Sequence, residues 1–106
     1  MVKRFDIYLV NLDDEVSKDA KNTRPCVVVS PDEMNGNLAH VVIAPVSSRS
    51  GLYPTRIPLD LLNSGRFILL DQLRAIETGR LVKKIGEVDA ATQKLTLDTL
   101  QEFFAA

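Results

Sequence analysis

The run RPCVVVS at residues 24–30 constrains the fold of this chain more than any other feature. Three consecutive valines follow Cys26, with Pro25 at one end and Pro31 just beyond the other. Valine is stiff at χ1 and suits a pleated backbone. The run is short and apolar without alternation, which predicts a strand buried on both faces. Pro25 stands at its start, where a missing N–H is tolerated. Such a strand needs partners at its edges and apolar cover on both sides, so a sheet must form the centre of the fold.

Other segments supply the partners. Residues 5–12 (FDIYLVNL), 38–46 (LAHVVIAPV), 55–59 and 81–85 all read as strands, rich in β-branched and aromatic residues and bounded by polar stops. Residues 67–76 (FILLDQLRAI) are apolar but interrupted by Asp71-Gln72. The polar stretch 13–23 is a loop between two strong strands, a setting that often carries function. Residues 31–37, with Asn35-Gly36, form a turn, and 47–54 (SSRSGLYP) and 60–65 are loop and stop. After Val88 the pattern changes. Asp89 is a good N-cap, and Leu97, Leu100 and Phe104 recur at helical spacing, which predicts a C-terminal helix with one apolar face. Thr92, Thr96 and Thr99 lower helix propensity and predict a delayed start.

Five to seven strands and one helix in 106 residues predict a single domain over 1–106. Its class is mainly β: a small, strongly bent antiparallel sheet or partly open barrel with a C-terminal α-helix. A core this thin gains from oligomerisation. With 45% hydrophobic and 25% charged residues, the chain is neither disordered nor coiled coil. A lone cysteine, Cys26, allows no internal disulfide and points to a reducing compartment. The opening MVKRFDIYLV lacks the apolar core of a signal peptide or a membrane span, so the expected location is the cytoplasm, with no membrane contact. One histidine and no CxxC predict neither metal nor cofactor.

A formal charge of −1 excludes a protein that coats nucleic acid with positive charge, yet the charge is unevenly placed. Residues 1–20 carry three basic and five acidic side chains, 41–84 carry seven basic and three acidic, and 85–106 carry one basic and four acidic. The middle of the chain is thus net +4 and could face a polyanion, or it could be an ordinary solvated surface.

No glycine-rich phosphate loop, GxSxG or HExxH is present, so each candidate stands singly. Arg24, held at a rigid strand start, could present its fork of donors to a phosphate or pair with Asp19 in the loop. Asp71 and Gln72 are either a carboxylate and amide facing a substrate groove or a buried polar knot tying loops together. Arg74 would share a strand face with Gln72, as a phosphate contact or a solvated rim residue. Ser47 and Ser48 follow a buried strand end and are either turn-forming or able to bond a phosphate; no histidine is placed for a Ser-His-Asp hydrolase. His40 reads as a strand-edge or partly buried residue and Cys26 as core. Tyr8 and Tyr53 could stack on bases, or serve as core residue and loop anchor respectively.

The ordered blocks DIYLVNL, TRPCVVVSP, VIAPVSS, a Tyr-Pro loop and LLDQLRAI, between about residues 4 and 88, resemble the MazF/PemK family of bacterial toxin endoribonucleases. That resemblance implies an SH3-like barrel with a terminal helix, acting as a homodimer. It implies metal-independent, sequence-specific cleavage of single-stranded RNA, usually mRNA, by 2′-hydroxyl attack, giving 2′,3′-cyclic phosphate and 5′-hydroxyl ends and arresting translation and growth. It also implies a cognate antitoxin whose C-terminal tail covers the RNA groove, with operator DNA bound only by the toxin–antitoxin complex. Position by position, Arg24 matches the family's arginine before proline and would stabilise the transition-state phosphate. Ser47 falls where Thr is usual and keeps the hydroxyl. Asp19 falls where many members have Glu, and would serve as base or as Arg24's partner. Asp71 and Gln72 match the DQ pair, and Arg74 a basic position after it. Leu69 stands where some members carry an arginine, which throws more weight onto Arg24. The expected catalytic set is therefore Arg24, Ser47, Asp19 and Asp71. The expected RNA contacts are Gln72, Arg74, Ser48, Arg49 and Tyr53. Two rival readings use the same fold: a CcdB-like gyrase poison acting through Phe103-Phe104, and a catalytically inactive module that binds RNA or antitoxin.

Overall fold

The valine run is the middle of the molecule. In the computed structural model, which describes residues 1–12, 22–48 and 53–105, it forms strand β2 (Thr23–Val28). β2 lies between β1 (Asp6–Asn11) and β3 (His40–Ser47), antiparallel to both. β4 (Arg56–Leu61), β5 (Ser64–Leu69), β6 (Arg74–Glu77) and β7 (Leu81–Glu87) complete the sheet, and α2 (Ala90–Phe103) follows it. The hydrogen-bonded order is β4-β5-β3-β2-β1-β7, with β6 also paired to β3. This is the mainly β, strongly bent antiparallel architecture expected, curled into a half-barrel with a C-terminal helix.

Alternation sorts the strands onto two apolar faces. Ile7, Val27, Val29, Ala44, Val46, Ile57, Leu59 and Ile68 meet on one side, where Leu97 and Leu100 of α2 pack against them. Val10, Cys26, Val28, Val41, Ile43 and Ile76 form a second cluster, with Tyr8 and Leu81 beside it. The valine run is therefore buried on both sides, as its lack of alternation predicts. At the sheet edge β4 carries Pro58, whose missing N–H blunts that edge.

Three local expectations are corrected. Residues 31–37 contain one helical turn, α1 (Asp32–Asn35), rather than a simple turn. Buried Asn35 bonds the Ser30 hydroxyl at 2.6 Å and the Ser30 carbonyl at 3.0 Å, which fixes that turn on the end of β2. The stop read at 60–65 shrinks to two residues: Leu62 and Asn63 both take positive φ (52° and 63°) and close a tight β4–β5 hairpin. Finally, α2 starts at Ala90 without delay. Asp89 accepts from the Thr92 amide at 3.2 Å, and Thr96 and Thr99 turn their hydroxyls back onto the carbonyls of Thr92 and Leu95, both at 2.7 Å. The Asp89 cap starts the helix despite the low propensity of its threonines. Thr96 is fully buried, whereas Phe104 lies past the helix end and is exposed, so the apolar face stops at Leu100. Among the described residues no helix is long and apolar enough to cross a membrane.

Candidate nucleic-acid interface

β2 and β3 run in register through Val28↔Ile43, Val27↔Ala44 and Cys26↔Pro45. Two residues further along each strand stand Arg24 and Ser47, so the register sets them across from each other. Alternation places both on the side away from the Ala44–Val46 core, the side of Cys26 and Ile43. Arg24 is exposed, and its guanidinium donates to the Thr23 carbonyl at 3.0 Å, which steadies the side chain while leaving most of its donors for another group. Ser47 is half-buried at the end of β3, where it pairs with Phe67 of β5.

Arg74 pairs with Ile43 and so occupies the same face on the other edge of β3. Arg24 and Arg74 flank β3, one from each side. Arg74 also acts on Cys26: burial pushes the thiol up to about 12, and the arginine's charge pulls slightly the other way. A thiol so placed stays protonated and is a core residue.

Asp71 and Gln72 are extruded from the sheet. From Val46↔Ile68 to Ile43↔Arg74, β3 moves three positions while the opposing chain moves six. The three surplus residues are the 3₁₀ turn Leu70–Gln72. This explains two polar residues inside an apolar run, and it corrects the expectation that Gln72 and Arg74 share a strand face. Both turn residues are exposed, so the knot is not buried either. It ties nonetheless. The Asp71 carboxylate accepts from Arg56 Nε and Nη2, both at 3.4 Å, and from the Thr55 hydroxyl at 3.3 Å. The Leu70 amide bonds the Thr55 carbonyl at 3.0 Å alongside. Arg56 in turn lies over the Tyr53 ring, 4.7 Å from its centroid.

The Arg56 hydrogen bonds are the main cause that holds the Asp71 carboxyl below its usual range, with slight desolvation opposing. A depressed folded pKa adds stability above the unfolded value, about 3.9 for Asp, and loses it as pH falls through the folded value. The melting-temperature gap between wild type and Asp71→Asn is therefore expected to stay constant from pH 8 to pH 5 and to close below about pH 4. Thermal scans across that range check this; a gap that widens on acidification would contradict the pairing.

Ser48 and Tyr53 are exposed beside this face. Asp19 and Arg49 lie outside the described residues. His40 opens β3, exposed and opposite Glu77, so it is not buried. Tyr8 is half-buried against the second cluster. Among the described residues no group of three or more His, Cys, Asp or Glu side chains could hold a metal ion. The residue that sequence reasoning missed is Arg56. Its signal was the alternation of RIPLDL, which turns Ile57, Leu59 and Leu61 inward and Arg56 outward.

Residues 3–104 match the family described as PemK-like, MazF-like toxin of type II toxin–antitoxin system. Endoribonuclease MazF9 of Mycobacterium tuberculosis is 34% identical over 101 residues, covering 86% of each chain. Endoribonuclease EndoA of Bacillus subtilis is 30% identical over 95 residues, covering 84% of this chain and 82% of that one. Among solved structures, an endoribonuclease in complex with its cognate antitoxin, from a mycobacterial species, superposes with a TM-score of 0.80 at 20% identity, covering 96% and 93% of the two chains.

Proposed function

The chain belongs to the PemK-like, MazF-like toxin family, and from that premise we propose that it is the toxin of a toxin–antitoxin pair, a cytoplasmic endoribonuclease that cuts single-stranded RNA at defined sequences. The observation that carries this reading is the β2–β3 register, which, continued two residues past Cys26↔Pro45, brings Arg24 and Ser47 to the same end of one sheet face, with Arg74 on the other side of β3. Two arginines flanking a strand can hold a polyanion, with the Ser47 hydroxyl at the Arg24 end of the face and Arg74 further along it.

In the proposed reaction the ribose 2′-oxygen attacks the adjacent phosphorus. A 2′-O–P bond forms, the P–O5′ bond breaks, the 2′-proton leaves to a base, and the 5′-oxygen takes up a proton from water. The ends are a 2′,3′-cyclic phosphate and a 5′-hydroxyl, and no electron changes hands. Arg24 offsets the charge that grows on the phosphate oxygens, and the Ser47 hydroxyl bonds the same group. Asp19 is the candidate base. Asp71, committed to Arg56 and Thr55, is better suited to holding the site than to moving a proton. Gln72, Arg74, Ser48, Arg49 and Tyr53 contact RNA, phosphates giving affinity and unstacked bases giving choice of sequence. The working unit is a homodimer, inhibited by a cognate antitoxin tail over the same face, with operator DNA bound only by the complex.

Incubating the purified protein with a long transcript in excess EDTA, then mapping both ends of every fragment, tests the reading. Discrete cuts with 5′-hydroxyl and cyclic phosphate ends are expected. Intact RNA together with growth arrest on expression would replace this reading with the poison hypothesis, for which the exposed, edge-to-face pair Phe103 and Phe104 is available.

A further inference from the structure

Tyr53, Arg56 and Asp71 form a stack that structural need alone does not explain. Arg56 sits on the non-core side of β4, opposite Leu69, and its side chain is 18% exposed. Asp71 grips it through two nitrogens, which fixes the plane of the guanidinium as well as its position. Above that plane lies the Tyr53 ring. Tyr53 is nonetheless 59% exposed, so much of the side chain stays open to solvent with the arginine in place. The Arg56 amide bonds the Tyr53 carbonyl at 3.0 Å, closing the backbone between them. An aromatic ring that a protein merely needed to bury would not be propped outward by a clamped cation.

The stack also stands near the candidate chemistry. Ser47 pairs with Phe67, and Phe67 with Pro58; Arg56 and Leu69 form the next row on the same face. Two strand spacings across and two residues along amount to about 12 Å, which neighbouring nucleotides of one strand can bridge.

We infer that Arg56 is a positioning residue for RNA: clamped by Asp71, it holds Tyr53 as a stacking platform for an unpaired base next to the cleaved bond. The inference rests on the RNA-cleaving reading above and adds to it where one base is recognised. Stacking of this kind tolerates any base, so the platform sets affinity and register, leaving base choice to polar contacts. A preordered ring spares the complex the entropy of fixing a loose aromatic side chain on binding.

The test uses the full chain, a single-site RNA oligonucleotide in EDTA, and a set of the same oligonucleotide with one flanking base removed at a time. For wild type, one abasic position is expected to raise KM roughly tenfold while the other positions change it little. Tyr53→Ala should show that raised KM on intact RNA and become indifferent to the abasic position. Arg56→Gln should reproduce both effects with kcat within about twofold, and the double variant should be no worse than Tyr53→Ala alone. Arg56→Lys keeps the charge but cannot lie flat in a two-nitrogen grip, and should behave like Arg56→Gln. If Arg56→Gln fails to fold, Arg56→Lys and Tyr53→Ala carry the same comparison. An Arg56 variant that keeps the wild-type abasic penalty, or effects of the two substitutions that multiply in the double variant, would overturn the inference. A wild-type protein that cuts no RNA would sink the functional reading itself, a separate and visible result.

Discussion

Arg24→Ala is expected to lower kcat for RNA cleavage by about 10²–10³-fold while leaving the protein folded. The size follows from what the residue is asked to do. A phosphodiester under attack gathers charge on its non-bridging oxygens, and a fixed cation aimed at them acts more strongly on the transition state than on the bound substrate. Losing it should therefore fall on kcat and kcat/KM together, with KM moving less. The fold should not notice. Arg24 is exposed and its guanidinium bonds the carbonyl of its own neighbour Thr23, so its removal should change stability by no more than about 0.5 kcal/mol. Arg24→Lys should recover only part of the rate, because an ammonium offers a point charge where the guanidinium offers a fork. Steady-state kinetics on a single-site oligonucleotide, with a thermal melt of each variant, separates the two effects. A variant that cleaves within threefold of wild type would remove Arg24 from the chemistry.

The place of Arg24 follows from how the sequence encodes this fold. A short, uninterrupted, β-branched apolar run predicts a doubly covered central strand, and β2 is that strand. Its first residues then have to emerge at the rim, which is why Arg24 is exposed while Cys26 two positions on is buried. The helix was readable from the Asp89 cap and the Leu97, Leu100 spacing. Its prompt start was not, because propensity counts each threonine against the helix without knowing that Asp89 caps the first turn or that Thr96 is buried. The site was legible in residue types and only partly in arrangement. Local pattern cannot tell whether Asp71-Gln72 interrupts a strand or is expelled from one, since the answer depends on how β5 and β6 both register against β3. For the same reason Arg56 went unnoticed: its partners lie 15 residues away in Asp71 and across a turn in Tyr53.

Ile68→Ala is expected to be the most damaging single core substitution on the side of the sheet beneath the candidate site. Ile68 is fully buried and lies between Val46 of β3 and Ile57 of β4, so it packs where two strand pairings share one residue. Truncation removes three carbons there and leaves a cavity that neighbours fixed in a sheet fill only in part. The expected loss is about 2–5 kcal/mol, against a total stability of roughly 5–15 kcal/mol for a domain of this size. That corresponds to a melting temperature lower by about 10–25 °C. Phe104→Ala, at an exposed position past the end of α2, serves as the control and should stay within about 0.5 kcal/mol of wild type. The two variants also separate core from chemistry. Ile68 points away from the face that carries Ser47 and Arg24, so cleavage by Ile68→Ala, measured well below its melting temperature, should remain within a few-fold of wild type. An unchanged melting temperature would mean that the β3–β5–β4 packing is not what holds the sheet closed. Loss of cleavage with the protein still folded would mean that the Ser47↔Phe67 pairing, one residue from Ile68, is itself part of what sets the site.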